Sequence, residues 1–78
     1  LGESNDVTLR MRWNYADVLY QDPGATLDDL REAVTTLEEI ERTARRVLGG
    51  AHPTTVEIEE DLRESRAALR AREPPSTH

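Results

Sequence analysis

Two acidic runs, "LEEIE" and "EIEED", contain the residues whose spacing is most suggestive of chemistry. Paired carboxylates can serve as general acid and base, and they can also hold a metal ion. Arginines follow the acids at helical spacing, however, so we expect Glu38 to pair with Arg42, and Glu41 with Arg45, along one helix. These runs are therefore interpreted as solvent-exposed helix faces.

His52 is the remaining candidate for a ligand or a base, because the chain contains no cysteine. It stands directly before Pro53, and the second histidine is not close to it in sequence. We therefore expect a structural role for His52 in a turn. The sequence also has no glycine-rich phosphate loop and no nucleophile-plus-base arrangement, so we expect neither an enzyme nor a bound cofactor or metal.

The composition restricts the partners of the chain. With 78 residues it is one small domain or part of a larger protein, and 36% of its residues are hydrophobic. No apolar run approaches the roughly 20 residues that a membrane-spanning helix needs. We expect a soluble, intracellular chain without membrane insertion, in a compartment that the sequence does not specify. The 16 acidic and 10 basic residues give a net charge of −6, which disfavours binding to the nucleic-acid backbone.

All ten basic residues are arginine and none is lysine. Arginine forms bidentate pairs with carboxylates and keeps its charge when partly buried, which suits protein interfaces. Codon bias in a GC-rich genome is the alternative explanation of the same composition.

Helical periodicity dominates the distribution of apolar residues, and no stretch alternates as a strand would. We predict three helices, at about residues 6–20, 26–48 and 53–72, followed by a disordered tail at 74–78. The predicted fold is therefore all-α, with three antiparallel helices.

The second helix is the best specified of the three. Thr26 is a good N-cap, acidic residues follow it near the positive end of the helix dipole, and Gly49-Gly50 ends the helix. The third helix starts at Pro53, which a first turn tolerates, and stops at the prolines of "EPPSTH". The residues expected on the inner faces of these two helices are Leu27, Leu30, Val34, Leu37, Ile40 or Glu41, Ala44, Val47 and Leu48, and then Ile58, Leu62, Ser65 and Leu69, with Val56 and Ala68 beside them.

The first helix carries the only tryptophan and both tyrosines of the chain. We therefore expect it to be the helix most enclosed by its neighbours. A turn made of Asp22, Pro23 and Gly24 ends it. Its expected inner face holds Leu9, Trp13, Ala16 and Tyr20, widened by Tyr15, Val18 and Leu19, with Met11 nearer the edge.

The stretch "LGGAHPTTVE" resembles the beginning of the chain, "LGESNDVTL". In both, a Leu-Gly pair leads to a threonine and an aliphatic residue; Asn5-Asp6 would form the first turn and His52-Pro53 the second. The two copies are separated by a distance within the range of about 20–50 residues that is typical of repeat arrays. We interpret the chain as a helix-turn-helix unit followed by the first helix of a second unit, which covers the apolar face that one unit leaves open.

The chain up to Val56 resembles the kinesin-light-chain type of tetratricopeptide repeat (TPR). "LGESNDVTLRMRWNYADVLY" is similar to the first helix of such a repeat, "REAVTTLEEIERTARRVLG" to its second helix, and "GAHPTTVE" to the start of another repeat. The resemblance implies about one and a half TPR-like repeats, an α-solenoid fragment over residues 1–73. The matching positions are Leu1, Gly2, Asn5, Thr8, Leu9, Asn14, Ala16, Leu19 and Tyr20, and then Glu32, Ala33, Leu37, Val47, Leu48 and Gly49.

Two features depart from the pattern of that family. The turn in "QDPGATLDDLR" is longer than the usual short turn, and surface loops tolerate such insertions at little cost. In the third helix, Asp61 takes the place of Asn14 and Arg63 the place of Ala16. Because close helix packing favours a small residue at the Ala16 position, Arg63 indicates that the third helix is a terminal cap with a polar outer face.

In the resembled family the first helices of successive repeats line a concave groove that binds peptides, and an asparagine of that groove matches Asn14. Its amide can bond both the N–H and the C=O of an extended backbone, although an exposed asparagine without a partner is the alternative. Arg10 and Asp17, one turn to either side, would flank the groove, and a merely solvated helix face explains both charges as well. Trp13 would suit a binding anchor, but its place on the inner stripe favours core packing.

The sequence therefore predicts a protein-interaction module or scaffold that binds a protein or peptide partner on a helical surface. The alternative is a structural subunit or segment that is permanently docked in a larger assembly. A three-helix DNA-binding domain is disfavoured, because none of the three segments is clearly cationic over its length.

Overall fold

The computed structural model describes the backbone of residues 2–73 and the side chains of residues 7–73. Three α-helices make up most of this range: α1 spans Gly2–Gln21, α2 spans Leu27–Leu48 and α3 spans Pro53–Arg72. No strand occurs between residues 2 and 73. The prediction of an all-α fold with three helices is confirmed, whereas the tail at 74–78 lies outside the described residues.

The ends of α2 are fixed by the residues that the sequence indicates. Thr26 Oγ1 accepts a hydrogen bond from the Asp29 amide over 3.1 Å, and the Asp29 carboxylate accepts one from the Thr26 amide over 3.2 Å. This reciprocal capping box satisfies backbone donors that a helix terminus otherwise leaves unpaired. At the other end Gly49 adopts a φ of 98°, which L side chains rarely adopt, and its amide bonds to the Arg45 carbonyl.

α3 begins as predicted at Pro53, with His52 as its N-cap. His52 Nδ1 accepts a hydrogen bond from the Thr54 amide over 3.1 Å, so this histidine has a structural part at the start of the helix. The last turn closes with the Glu73 amide bonded to the Leu69 carbonyl over 2.9 Å.

The start of α1 differs from the prediction. The helix begins at Gly2, so Asn5-Asp6 lies inside it and does not form the predicted counterpart of the His52-Pro53 turn. A proline cannot donate the hydrogen bond that would continue a preceding helix, and only the second of the two stretches contains one. The two stretches are similar in sequence, but that similarity does not extend to their backbone.

The core lies along α2, which packs against both other helices. The α2–α3 interface is antiparallel, since Glu38 pairs with Arg66 and Arg45 with Glu59. Most of the predicted inner residues are confirmed, and Ile40 faces inward at the position that the sequence left open. The buried apolar residues are Ala16, Ala25, Leu30, Ala33, Val34, Leu37, Ile40, Ala44, Ile58 and Leu62, and those packed partly buried around them are Leu9, Trp13, Leu19, Tyr20, Leu48 and Leu69.

The prediction that α1 is the most enclosed helix is wrong, because α2 occupies the centre and contributes most of the buried apolar residues. The expected inner face of α1 does pack on the core, but the residues expected to widen it largely do not. The side of α1 opposite the core carries an exposed apolar row. This exposed stripe of α1 consists of Val7, Met11, Tyr15 and Val18, of which Tyr15 reaches α2 only through its hydroxyl, bonded to Glu32. Val47 and Val56, predicted on or beside inner faces, are exposed as well.

Cross-helix ion pairs replace one of the two predicted pairs within α2. Glu41 and Arg45 pair as predicted, but Glu38 bonds Arg66 of α3 over 2.9 Å instead of pairing with Arg42. The neighbouring helix offers Glu38 a partner that the sequence of α2 alone does not reveal. Pairs this exposed each contribute less than about 1 kcal/mol, so they orient α3 more than they stabilise it.

Candidate binding groove

α1 and α3 both pack on α2, and they meet each other through polar side chains. Trp13 Nε1 donates a hydrogen bond to Asp61 Oδ2 over 2.6 Å, and the Tyr20 hydroxyl donates one to Glu64 Oε1 over 3.2 Å. Residue numbers rise in the same direction along both helices at these contacts, so α1 and α3 run parallel.

A groove of about 450 Å³ opens between these two parallel helices. The three binding residues proposed from the sequence lie together in it, because positions i, i+4 and i+7 share one face of a helix. Its volume falls within the range of about 300–1,000 Å³ that is usual for ligand sites. The lining residues are Arg10, Trp13, Asn14 and Asp17 of α1, and Thr54 and Glu57 of α3.

Asn14 is the central residue of the α1 wall, and its side chain is exposed. Its amide offers two N–H donors and a carbonyl acceptor to anything that occupies the groove. Arg10 is also exposed, one turn before Asn14, whereas Asp17, one turn after it, is partly buried. The wall therefore offers a cation, an amide and a sheltered carboxyl group in that order along α1.

Asp17 is the most perturbed titratable group of the groove. Its Oδ1 atom is buried and accepts no hydrogen bond. Burial raises the pKa of Asp17 to about 7, and the neighbouring carboxyl groups of Asp61 and Glu64 act in the same direction. These effects favour the neutral acid, since the ionised form loses solvation and faces two further carboxylates.

The same acids act on Tyr20, whose hydroxyl lies at the end of the α1–α3 contact. Burial raises the pKa of Tyr20 to about 12, opposed by a hydrogen bond with Gln21 and assisted by the charges of Asp61, Asp17 and Glu64. Tyr20 therefore remains a neutral hydrogen-bond donor at ordinary pH.

Trp13 combines the two interpretations that the sequence left open. Its ring packs partly buried against the core, as the inner-stripe position predicts. Its edge reaches the groove, and the indole N–H is bonded to Asp61. Trp13 therefore belongs both to the edge of the core and to the lining of the groove, as its apolar ring and polar N–H allow.

An acidic row on α3 was not among the residues proposed for the site. Glu57, Asp61 and Glu64 recur at the same i, i+4, i+7 spacing as the α1 residues, and they line or border the same contact. The offset that aligns Leu1 with Leu48 would have identified them. At that offset the equivalent residues are Arg10 and Glu57, Asn14 and Asp61, and Asp17 and Glu64.

A second groove, of about 550 Å³, lies between α2 and α3. It is rich in arginine, but Arg45 is paired with Glu41 and Glu59, and Arg66 with Glu38. None of the residues proposed from the sequence lies in it. The opposite edges of α3 thus carry opposite charges, acidic towards α1 and basic towards α2.

Within the described residues, no group of three or more His, Cys, Asp or Glu side chains is arranged to hold a metal ion. No helix in that part of the chain combines the length and the apolar character needed to cross a bilayer. Comparison with protein families, with curated proteins and with solved structures found no match to this chain.

Proposed function

We propose that the chain is a protein-interaction module or scaffold that binds an extended peptide segment of a partner in the α1–α3 groove. The observation that carries this proposal is the position of Arg10, Asn14 and Asp17. Asn14 was selected by resemblance to a TPR-type peptide groove, and Arg10 and Asp17 because they lie one turn to either side of it. All three line one groove between two parallel helices that pack on a common third helix.

The chemistry of the groove suits a peptide backbone with a basic side chain. The Asn14 amide can donate to a backbone carbonyl and accept from a backbone N–H of the same extended segment. Asp17 and Glu57 place carboxyl groups on the two walls, and Thr54 adds a hydroxyl. An arginine or lysine of the peptide would therefore find Glu57 on one wall, and its positive charge would favour the ionised form of Asp17 on the other.

The relation between α1 and α3 supports a TPR-like repeat. Residues at equivalent positions of the two helices, such as Asn14 and Asp61, are brought to the same contact. Two helices that present equivalent faces to a shared groove are what stacked helix-turn-helix units produce. Arg63 is exposed, which fits the proposal that α3 is a terminal cap with a polar outer face.

The proposal is tested by selecting peptides from a random displayed library against the chain and measuring the dissociation constant of the best binder by calorimetry. Asn14→Ala removes hydrogen bonds to the peptide backbone, and we expect affinity to fall roughly 5- to 30-fold, which corresponds to about 1–2 kcal/mol. Thr35→Ala is the matched control, because Thr35 is exposed on α2 outside the groove. Equal affinities of the wild type and Asn14→Ala would reject the assignment.

The second candidate function is a structural subunit permanently docked in a larger assembly, and the exposed stripe of α1 favours it. Met11, Tyr15 and Val18 are 65%, 51% and 69% exposed. When Leu1 is aligned with Leu48, these three residues are equivalent to Ile58, Leu62 and Ser65, which are buried where α3 packs on α2. We therefore propose that the stripe is covered by an amphipathic helix of the larger assembly, which would pack on α1 as α2 packs on α3.

The solution behaviour of the isolated chain separates the two functions. A monomer with a cooperative thermal transition supports the interaction module, whereas a molten or aggregating chain supports the docked subunit. The double variant Met11→Gln, Val18→Gln makes the comparison sharper. It removes apolar surface from the stripe and leaves the groove untouched, so it should abolish aggregation only if the stripe is the cause.

A further inference from the structure

The groove between α2 and α3 collects arginine, although the chain as a whole is acidic. Four of the 10 basic residues line it, but only two of the 16 acidic residues do, in a chain with a net charge of −6. The four are Arg45 of α2 and Arg63, Arg66 and Arg70 of α3. The groove is therefore a locally cationic surface on an anionic molecule.

Two of these arginines are held by acids of the chain itself. Arg45 bonds Glu41 of the same helix and Glu59 of α3, each over 2.5 Å. Arg66 bonds Glu38 of α2 over 2.9 Å. Because these contacts compensate both charges within the chain, a ligand with negative charge has to find its partners among the other two arginines.

Arg63 and Arg70 carry the uncompensated charge of the groove. Both side chains are exposed, and neither forms an ion pair with another residue of the described part of the chain. They share one face of α3 at positions i and i+7, about 10 Å apart along the helix axis. Leu62 and Ala67 line the same groove and supply apolar surface beside them. Two carboxylates three residues apart in an extended segment are also separated by about 10 Å, so they match this spacing.

We propose that the α2–α3 groove is a second interaction surface, which binds an extended acidic segment of a partner protein. One carboxylate of the segment pairs with Arg63, and another, three residues along, pairs with Arg70. The guanidinium group binds a carboxylate through two parallel hydrogen bonds, which the ammonium group of lysine cannot do. This surface lies on the opposite edge of α3 from the α1–α3 groove, so it does not rest on the function proposed above.

A short acidic peptide suits the groove better than a nucleic acid does. The uncompensated positive charge is confined to two side chains, whereas the chain as a whole carries a net charge of −6. A long phosphate backbone would extend beyond these two arginines and be repelled by the rest of the molecule. A segment of a few residues places its negative charges only where the arginines are.

The probe is a fluorescently labelled peptide of serine and alanine with two glutamates three positions apart. Its dissociation constant from the full chain is measured by fluorescence anisotropy, and the control peptide has glutamine in place of both glutamates. We expect the acidic peptide to bind roughly 10-fold more tightly than the control, because only its carboxylates form charge-assisted hydrogen bonds with arginine.

Two double variants separate the groove from the total charge of the chain. Arg63→Gln with Arg70→Gln should weaken binding of the acidic peptide roughly 10-fold. Arg42→Gln with Arg46→Gln is the matched control, since it removes the same charge from exposed positions of α2 outside the groove, and its affinity should stay close to that of the wild type. Each pair includes one arginine of a last helical turn, so the effects on helix stability are also matched. Far-ultraviolet circular dichroism verifies that both variants are as helical as the wild type.

An NMR titration of the wild type with the acidic peptide keeps the test decisive if a variant does not fold. The largest amide shift changes should lie at Arg63, Ala67 and Arg70. Equal affinities for the two peptides, equal weakening in the two double variants, or shift changes centred on the α1–α3 groove would overturn the proposal. Tighter binding of a single-stranded oligonucleotide than of the acidic peptide would overturn it as well. A dimer in analytical ultracentrifugation that the acidic peptide dissociates would assign the groove to a second copy of the chain and equally overturn the choice of partner.

Discussion

Trp13 Nε1 donates a hydrogen bond of 2.6 Å to Asp61 Oδ2, and this bond joins α1 to α3 across 48 positions of the chain. Asp61 stands where the repeat pattern would place an asparagine equivalent to Asn14. The carboxyl group of Asp61 gives the indole N–H an acceptor on the neighbouring helix. The departure from the repeat pattern thus coincides with the shorter of the two hydrogen bonds that join α1 to α3 in the described residues.

Trp13→Phe should destabilise the chain by about 1–3 kcal/mol, because it leaves the partly buried Asp61 without its donor. Urea denaturation followed by circular dichroism measures the change. Tyr15→Phe is the comparison variant, since it also removes a hydrogen bond of 2.6 Å, to Glu32, but at an exposed position. If Trp13→Phe lowers the free energy of unfolding no more than Tyr15→Phe does, the Trp13–Asp61 bond contributes no more to stability than an exposed hydrogen bond.

Thr26→Ala should lower the free energy of unfolding by about 1 kcal/mol, since it removes the hydroxyl that caps α2. Thermal denaturation measures the change. Thr35→Ala provides the reference, because Thr35 is exposed within α2 and alanine is the better helix former. If the two variants melt at the same temperature, the capping box does not contribute to stability.

Thr55→Val should stabilise the chain by about 1 kcal/mol. The Thr55 side chain is fully buried and its Oγ1 has no hydrogen-bond partner, so valine keeps the shape and removes an unsatisfied polar atom. Ser65→Ala is the contrasting variant, because the equally buried Ser65 hydroxyl donates to the Leu62 carbonyl over 2.9 Å. We expect Ser65→Ala to be neutral or destabilising in the same denaturation experiment, and a destabilised Thr55→Val would contradict this account of position 55.

The pH dependence of stability should carry the signature of Asp17. Its pKa is raised to about 7 in the folded chain, well above the ordinary value near 4. The stabilisation from protonated Asp17 is therefore complete below about pH 4 and is lost as pH rises through about 7. Melting temperatures across this range should fall by a few degrees more in the wild type than in Asp17→Asn. Parallel curves for the two proteins would contradict the shift.

Local signals in the sequence were enough to place most of the helices. Three of these signals are the cap at Thr26, the glycine at Gly49 and the proline at Pro53. Each acts within one helical turn, so its effect can be predicted without knowledge of the rest of the fold. The start of α1 was less predictable, because no proline marks it in the sequence. Its similarity to the later connector suggested a turn where the chain forms helix.

The environment of individual side chains depends on neighbours that are distant in sequence. Tyr15 and Val18 fit the inner face of α1 by composition, yet α2 and α3 cover only one side of that helix. The resemblance to a TPR-type groove supplied Asn14, and helical spacing placed Arg10 and Asp17 on the same face. The alignment of Leu1 with Leu48 would have identified the acidic residues of α3 as their equivalents, but the effect of those residues on Asp17 became apparent only when α3 was placed beside α1.

The most direct test of the central claim is an amide-resolved NMR titration of the labelled chain with a peptide obtained by selection. If the α1–α3 groove is the binding surface, the largest shift changes will cluster at Arg10, Asn14 and Asp17 on α1 and at Thr54 and Glu57 on α3. Changes centred on the exposed stripe of α1 or on the α2–α3 groove, with these five amides unmoved, would contradict the account.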